Sequence, residues 1–214
     1  MWNWKRLVLL LALTWQGAVH ADSSELLGAK ELTQRLRGYE TFQAEFIQYV
    51  VDKSGNRIQE TRGELKAKRP GNFYWHIAPP LEQIVVANQK NIVVYDPDLE
   101  QATVHPVGKT LGNTPALLLS GNVEKLSQEY KVEGTAWEGD VEYYVLRPKS
   151  NESLFETLWL RFEKGSLIEM RLTDALGQKS TLSFISVKLN DALSDAIFNF
   201  TPPPGTDVID DGLN

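Results

Sequence analysis

Apolar and polar residues alternate with a period of two over most of this chain. From Phe42 onward, Phe42, Ala44 and Phe46 share one face, while Gln43 and Glu45 take the other. This alternation is typical of a β-strand. Similar short runs predict further strands at Arg57–Ala67, Phe73–Ile77, Gln83–Ala87, Ile92–Tyr95, Gln101–His105, Gln128–Glu133, Glu142–Arg147, Leu154–Glu163, Leu167–Thr173 and Thr181–Leu189. Turn residues separate these runs, so we expect a mainly β (α+β) protein whose antiparallel strands curl toward a barrel.

One amphipathic helix precedes the strands. Ser23 or Ser24 can cap it, and Gly38 is a natural stop signal. Apolar residues recur at helical spacing between these ends, at Ala29, Leu32, Leu36 and Tyr39. The pattern predicts a helix with one apolar side that lies on the sheet.

A second, shorter helix is predicted at Thr114–Ser120. Thr114 is a suitable N-cap, Pro115 suits the first helical position, and Gly121 ends the helix. The four residues between, Ala116 to Leu119, are all apolar. A helical turn without a polar side must be buried at least part of the time. It is therefore either a plug in the core or a lid over an apolar cavity.

The corner between two predicted strands carries Arg69, followed by Pro70 and Gly71, which interrupt the strand pattern. An aromatic run from Phe73 to Trp75 comes next. An arginine at this corner offers five donors in a planar group that keeps its charge. It is either a solvated corner residue or a latch that reaches across an apolar opening.

The start of the chain resembles a secretory leader. Lys5 and Arg6 precede an apolar run, and small residues end at Ala21. We expect cleavage after Ala21, which leaves one domain over residues 22–214 that is exported without a membrane anchor. That domain has no cysteine, and therefore no disulfide. Its 20 basic and 28 acidic residues give a net charge of −8, which argues against nucleic-acid binding.

Sequence motifs of catalysis are missing from the chain. His76 and His105 stand on different predicted strands, without a second histidine at metal-ligand spacing. No nucleophile elbow and no phosphate-binding glycine loop occur. We therefore expect no enzyme activity, no metal site and no cofactor.

Five motifs together resemble the periplasmic outer-membrane lipoprotein carrier family LolA. They are Phe42–Gln48 (F-x-A-x-F-x-Q), Lys68–Trp75 (KRPGNFYW), Tyr95–Gln101 (YDPDLEQ), Gly112–Leu119 (GNTPALLL) and Phe198–Pro203 (F-x-F-x-P-P). The resemblance extends over nearly the whole predicted mature domain. The turn Asn88-Gln89-Lys90 departs from the Asp-Gly that this hairpin often carries.

The resemblance implies an incomplete, unclosed antiparallel β-barrel, with short helices forming a lid over an apolar cavity. It implies that Arg69 is the latch, with lid partners near Leu36, Leu119 and Ser120. It also implies that acyl chains contact a set of apolar side chains: Phe42, Phe46, Phe73, Trp75, Leu117 and Leu118.

By the same resemblance, the protein is a monomeric periplasmic carrier of acylated lipoproteins. It would receive them from an inner-membrane ABC transporter complex like LolCDE and deliver them to an outer-membrane receptor like LolB. Two alternatives stay open. One is a periplasmic carrier or sensor of another lipid on the same half-barrel, and the other is a carbohydrate-active enzyme on a β-scaffold.

Overall fold

The computed structural model describes residues 20–107, 118–121, 123–151, 153 and 155–211. Helix α1 spans His20–Arg37 and the short helix α2 spans Leu126–Glu129. The twelve strands are β1 Thr41–Val51, β2 Arg57–Lys68, β3 Asn72–Ile77, β4 Gln83–Ala87, β5 Asn91–Asp96, β6 Gln101–Pro106, β7 Tyr130–Glu138, β8 Val141–Pro148, β9 Phe155–Glu163, β10 Ser166–Asp174, β11 Lys179–Leu189 and β12 Asp207–Asp210. Further 3₁₀ turns include Val123–Lys125 and Asp195–Phe198.

All twelve strands form one sheet in the order β12-β6-β5-β4-β3-β2-β1-β11-β10-β9-β8-β7. Neighbours are antiparallel except β12 and β6, which run parallel. The two ends of this order, β12 and β7, do not pair with each other. The predicted unclosed antiparallel barrel is therefore confirmed.

The inner face of the sheet carries the main apolar core. On β1, Phe42, Ala44 and Phe46 are buried, as their alternation predicts. The register places Phe46 opposite Gly63 on β2, and a Cβ on that glycine would lie 1.9 Å from the main-chain oxygen of His76. Only glycine therefore allows the strands to approach this closely.

Helix α1 packs against β7 on this inner side. Its apolar residues Ala29, Leu32 and Leu36 are buried in the same core cluster as the β1 aromatics. The apolar side predicted from helical spacing therefore lies on the sheet. Among the described residues, no helix is both long enough and apolar enough to cross a membrane.

The C-terminal segment covers the opposite face of the β3–β6 region. Its 3₁₀ turn contacts β3, and the Phe198 side chain is buried. The Phe200 ring lies 5.4 Å from that of Tyr95, which faces away from the main core. The segment then ends as β12 at the sheet edge, after three prolines that cannot donate main-chain hydrogen bonds.

Three local predictions differ from the structure. Helix α1 already includes Ser23 and Ser24, so neither serine caps it as predicted. Gln128 belongs to α2 rather than to a strand, since the strand starts only at Tyr130. Strand β12 is absent from the predicted strands, because its sequence Asp-Val-Ile-Asp does not alternate apolar and polar residues. Residues 1–19 of the predicted leader lie outside the described residues.

Candidate functional site

The corner between β2 and β3 joins three parts of the chain. The Arg69 main-chain N–H donates to the Glu40 carbonyl, which follows α1, at 3.0 Å. The Gly71 N–H donates to the Ser120 carbonyl at 2.8 Å. Gly71 has a φ of +73°, a conformation that glycine adopts without steric strain. The corner thus holds residues 118–121 through its backbone as well as through a side chain.

The side chain that contacts residues 118–121 is that of Arg69. Its Nη1 donates to the Gly121 carbonyl at 3.1 Å. The bond therefore lies one residue beyond the expected partners Leu119 and Ser120. The third expected partner, Leu36, is fully buried, and its carbonyl accepts from the Tyr39 N–H at 3.1 Å.

The remaining donors of the Arg69 guanidinium are not satisfied. Nε and Nη2 are both buried and have no hydrogen-bond partner in the part of the chain that the structure describes. Burial lowers the pKa of Arg69, and the nearby Tyr39 offsets this only in part. Arginine nevertheless stays charged, because its ordinary pKa is so high.

The side-chain contacts of Arg69 add little or nothing to the stability of the closed arrangement. A hydrogen bond from a charged donor contributes about 1.5–3 kcal/mol, whereas each buried unsatisfied donor costs about 1–3 kcal/mol. The two unmatched donors together cost about 2–6 kcal/mol, which is at least as much as the single bond to Gly121 contributes. Such a contact can hold residues 118–121 in place and release them at little cost.

Beneath this corner lies an aromatic interior. Phe42, Phe46 and Phe73 are almost fully buried, and Trp75 is 8% exposed. The Phe46 and Trp75 rings stack with centroids 4.0 Å apart, and Phe73 lies 6.3 Å from Trp75. The structure thus brings these four predicted contact residues into one cluster.

Residues 118–121 cover part of this cluster. Residues 118 and 119 have 3₁₀ conformation, Leu119 and Ser120 are buried, and Leu118 is partly buried against the core. Leu117 and residues 114–116 of the predicted helix lie outside the described residues. Farther along the chain, Val123 and Leu126 enter the same core. The covering segment is therefore apolar toward the barrel interior.

Helix α1 is attached to the sheet by a partly buried ion pair. Arg35 makes a bidentate ion pair through Nε and Nη2 with Glu142 on β8, whose side chain is only 7% exposed. Tyr144 also donates to this carboxylate, at 3.2 Å. Paired charges in a buried position bond strongly and hold a fixed geometry.

Two more contacts fix the end of α1. The Tyr39 hydroxyl donates to the Gly165 carbonyl at 2.6 Å and accepts from the Leu167 N–H at 3.1 Å. Burial raises the pKa of Tyr39 to about 12. The Asn190 side chain accepts from the Glu40 N–H at 2.8 Å and donates to the Gly38 carbonyl at 2.9 Å. Sequence reasoning placed Tyr39 only on the apolar side of the helix and did not find these hydrogen bonds, since the partners are more than a hundred positions away.

A surface ion pair connects α1 to the segment after residue 121. Arg37 Nε lies 2.6 Å from Glu124 Oε1, and both side chains are more than half exposed. Hydrogen bonding to Arg37 lowers the pKa of Glu124. Solvent screens such an exposed pair, so it contributes little to closure.

Metal chemistry has no visible support within the described ranges, where no cluster of potential ligands occurs. His76 and His105 each face one carboxylate: His76 lies 2.9 Å from Glu82, and His105 lies 3.0 Å from Asp211. The second contact connects β6 to the residue after β12. We interpret both pairs as structural contacts.

Comparison with known proteins gives a consistent result. The family model described as outer membrane lipoprotein carrier protein LolA matches residues 37–201. Relatives named outer-membrane lipoprotein carrier protein include one from Pseudomonas putida, 43% identical over 95% of this chain and 97% of its own. Another, from Hahella chejuensis, is 44% identical over 94% of this chain and 97% of its own.

A solved structure has the same fold. The LolA superfamily protein from Nitrosomonas europaea superposes with a TM-score of 0.50 at 14% sequence identity. The match covers 83% of this chain and 98% of that one.

Proposed function

The chain belongs to the outer membrane lipoprotein carrier family LolA, and on this basis we propose that it carries lipoproteins with their acyl chains enclosed in the barrel. It acts as a periplasmic carrier and chaperone rather than as an enzyme. The acyl chains would replace residues 118–121 over the aromatic cluster of Phe42, Phe46, Phe73 and Trp75.

This proposal rests on the contrast between the way helix α1 is attached to the sheet and the way residues 118–121 are attached to it. Helix α1 is fixed by a buried bidentate ion pair, Arg35 to Glu142. Residues 118–121 accept the Arg69 bond and one main-chain bond and pack Leu119 into the core, but their described contacts include no buried ion pair. Opening can therefore proceed at residues 118–121, while the helix and the sheet keep their positions.

The magnitudes of acyl burial explain why a lid is useful. One acyl chain of roughly fifteen methylenes gains about 0.8 kcal/mol for each buried group, or about 12 kcal/mol in total. Several fully buried chains would exceed the practical limit of non-covalent affinity, about 20 kcal/mol. A lid that must be displaced before binding lowers the net affinity, so that the cargo can be released.

The cellular location and the partners of the protein follow from its proposed role as a lipoprotein carrier. We infer cleavage after Ala21, export to the periplasm and action as a monomer. The donor would be an inner-membrane ABC transporter complex of the LolCDE kind, and the acceptor an outer-membrane receptor of the LolB kind. The net charge of −8 expected after cleavage favours release from anionic membrane surfaces.

Native mass spectrometry of the protein isolated from its own periplasm tests the proposal. The expected spectrum contains the chain of residues 22–214, alone and in complex with an acylated lipoprotein. A complex with free lipid instead of lipoprotein would favour the alternative, that the protein is a periplasmic carrier or sensor of another lipid. A mass that includes the leader or a covalently attached acyl group would contradict a released periplasmic carrier.

A further inference from the structure

The side-on edge of an arginine, formed by Nε and Nη2, is occupied in two other arginines of this site. In Arg35 these two nitrogens hold the carboxylate of Glu142, and in Arg37 they hold that of Glu124. The two parallel N–H groups of this edge suit a pair of oxygen acceptors. In Arg69 the same two nitrogens are buried and have no partner within the described residues.

Among the described residues, none supplies an anion to this edge of Arg69. The titratable group that acts on its guanidinium is the Tyr39 phenol, which is neutral at physiological pH because burial raises its pKa to about 12. The Nη1 group on the other side of the guanidinium already donates to the Gly121 carbonyl. Burying two unmatched donors is unfavourable, and buried polar groups without a partner are rare in native structures, so this pair calls for an explanation.

The position of this edge matches one part of an acylated cargo. Arg69 lies at the corner where β2 ends, and Phe73 and Trp75 begin the aromatic interior within six residues. Acyl chains that enter along these rings leave their ester groups near the corner. A diacylglyceryl cysteine, the acylated residue of a lipoprotein, has two ester carbonyls that join its chains to glycerol.

We propose that the Nε and Nη2 donors of Arg69 bind the ester carbonyl oxygens of the diacylglyceryl group when cargo is loaded. This proposal rests on the proposed carrier function and names the part of the cargo that the corner recognises. Arg69 then has a partner in each state. In the empty protein it holds Gly121, and in the loaded protein it holds the ester oxygens.

Two synthetic lipopeptides separate this contact from acyl burial. One is a diacyl lipopeptide with ester linkages, and the other is its dialkyl ether analogue with chains of equal length. Ether oxygens are poor acceptors beside carbonyls, so the wild-type protein should bind the ester form tighter by about tenfold or more. Isothermal titration calorimetry gives both dissociation constants.

Two variants assign the preference to Arg69. In Arg69→Leu the ratio of the two affinities should fall to about one. Loss of the bond to Gly121 changes the lid equilibrium equally for both ligands, so it cancels in this ratio. Arg62→Leu is the matched control, because Arg62 lies on β2, the strand that leads to the Arg69 corner, and its side chain is 68% exposed. It should keep the wild-type ratio.

The possible outcomes distinguish this inference from the carrier function. Binding of neither lipopeptide would overturn the proposed function, and the inference with it. Equal binding of both by the wild-type protein would overturn the ester contact alone, and this result needs no variant to fold. Tighter binding of a free fatty acid than of the diester would assign the edge to a carboxylate, which also contradicts the proposal.

Discussion

The ion pair between Arg35 and Glu142 gives a prediction that can be worked through in detail. The two side chains are unequally exposed: 35% for Arg35 and 7% for Glu142. Removing one partner therefore has different consequences from removing the other. The buried carboxylate has little access to water, whereas the arginine can turn its charged end toward solvent.

The expected losses in unfolding free energy follow from this asymmetry. Arg35→Met leaves Glu142 charged and buried, and such a change costs about 3–5 kcal/mol. Glu142→Leu leaves Arg35 able to hydrate and removes the acceptor of Tyr144, at a cost of about 2 kcal/mol. The double variant has no unpaired charge, so it should lose only about 2 kcal/mol. The second substitution should thus rescue the first.

Urea unfolding of the four proteins near neutral pH, followed by tryptophan fluorescence and far-UV circular dichroism, measures these free energies. Because the pair is partly buried, the coupling between the two positions should change little when salt is added. A double variant that loses the sum of the two single losses would refute the reasoning. So would an Arg35→Met variant that loses less than about 1 kcal/mol.

Three further changes probe other parts of the barrel. Gly63→Ala should lower the unfolding free energy by about 3 kcal/mol, because its Cβ would overlap the main chain of His76. Gly38→Ala is its control in the same urea titration, since the nearest heavy atom to a Cβ there lies 3.4 Å away. In the wild type, the raised pKa of Tyr39 means that the unfolded state ionises first as pH rises; stability should fall between pH about 10 and about 12, by up to ~3 kcal/mol. Tyr39→Phe should lose this part of the slope in unfolding measured against pH. Leu119→Ala should speed uptake of a fluorescent acyl probe about tenfold or more, because a buried Leu→Ala change costs the closed arrangement 2–5 kcal/mol.

Each of these three predictions has a result that would contradict it. Equal losses in Gly63→Ala and Gly38→Ala would show that the sheet relaxes around the added methyl group. An unchanged alkaline slope in Tyr39→Phe would mean that other tyrosines account for it. Slower or unchanged probe uptake in Leu119→Ala, with the far-UV spectrum retained, would argue that residues 118–121 are a fixed part of the core.

The sequence by itself determined the strands and the apolar faces. Alternation along β1 depends only on the two-residue repeat of a strand, so Phe42 and Phe46 could be assigned to one buried face without any partner strand. The corner at Arg69 was also readable, because Pro70 and Gly71 interrupt the strand locally. The motifs that resemble the lipoprotein carriers are equally local runs of residues.

The tertiary structure alone decided which distant groups meet. Arg35 and Glu142 are 107 positions apart, and no periodic pattern connects them. The carbonyl that Arg69 reaches, that of Gly121, depends on how the chain after β6 returns to the corner. The unmatched Nε and Nη2 donors depend on that same return. Side-chain alternation is fixed by neighbours along the chain, whereas these contacts are fixed by how the whole sheet curls, because its curvature sets the distances between segments far apart in sequence.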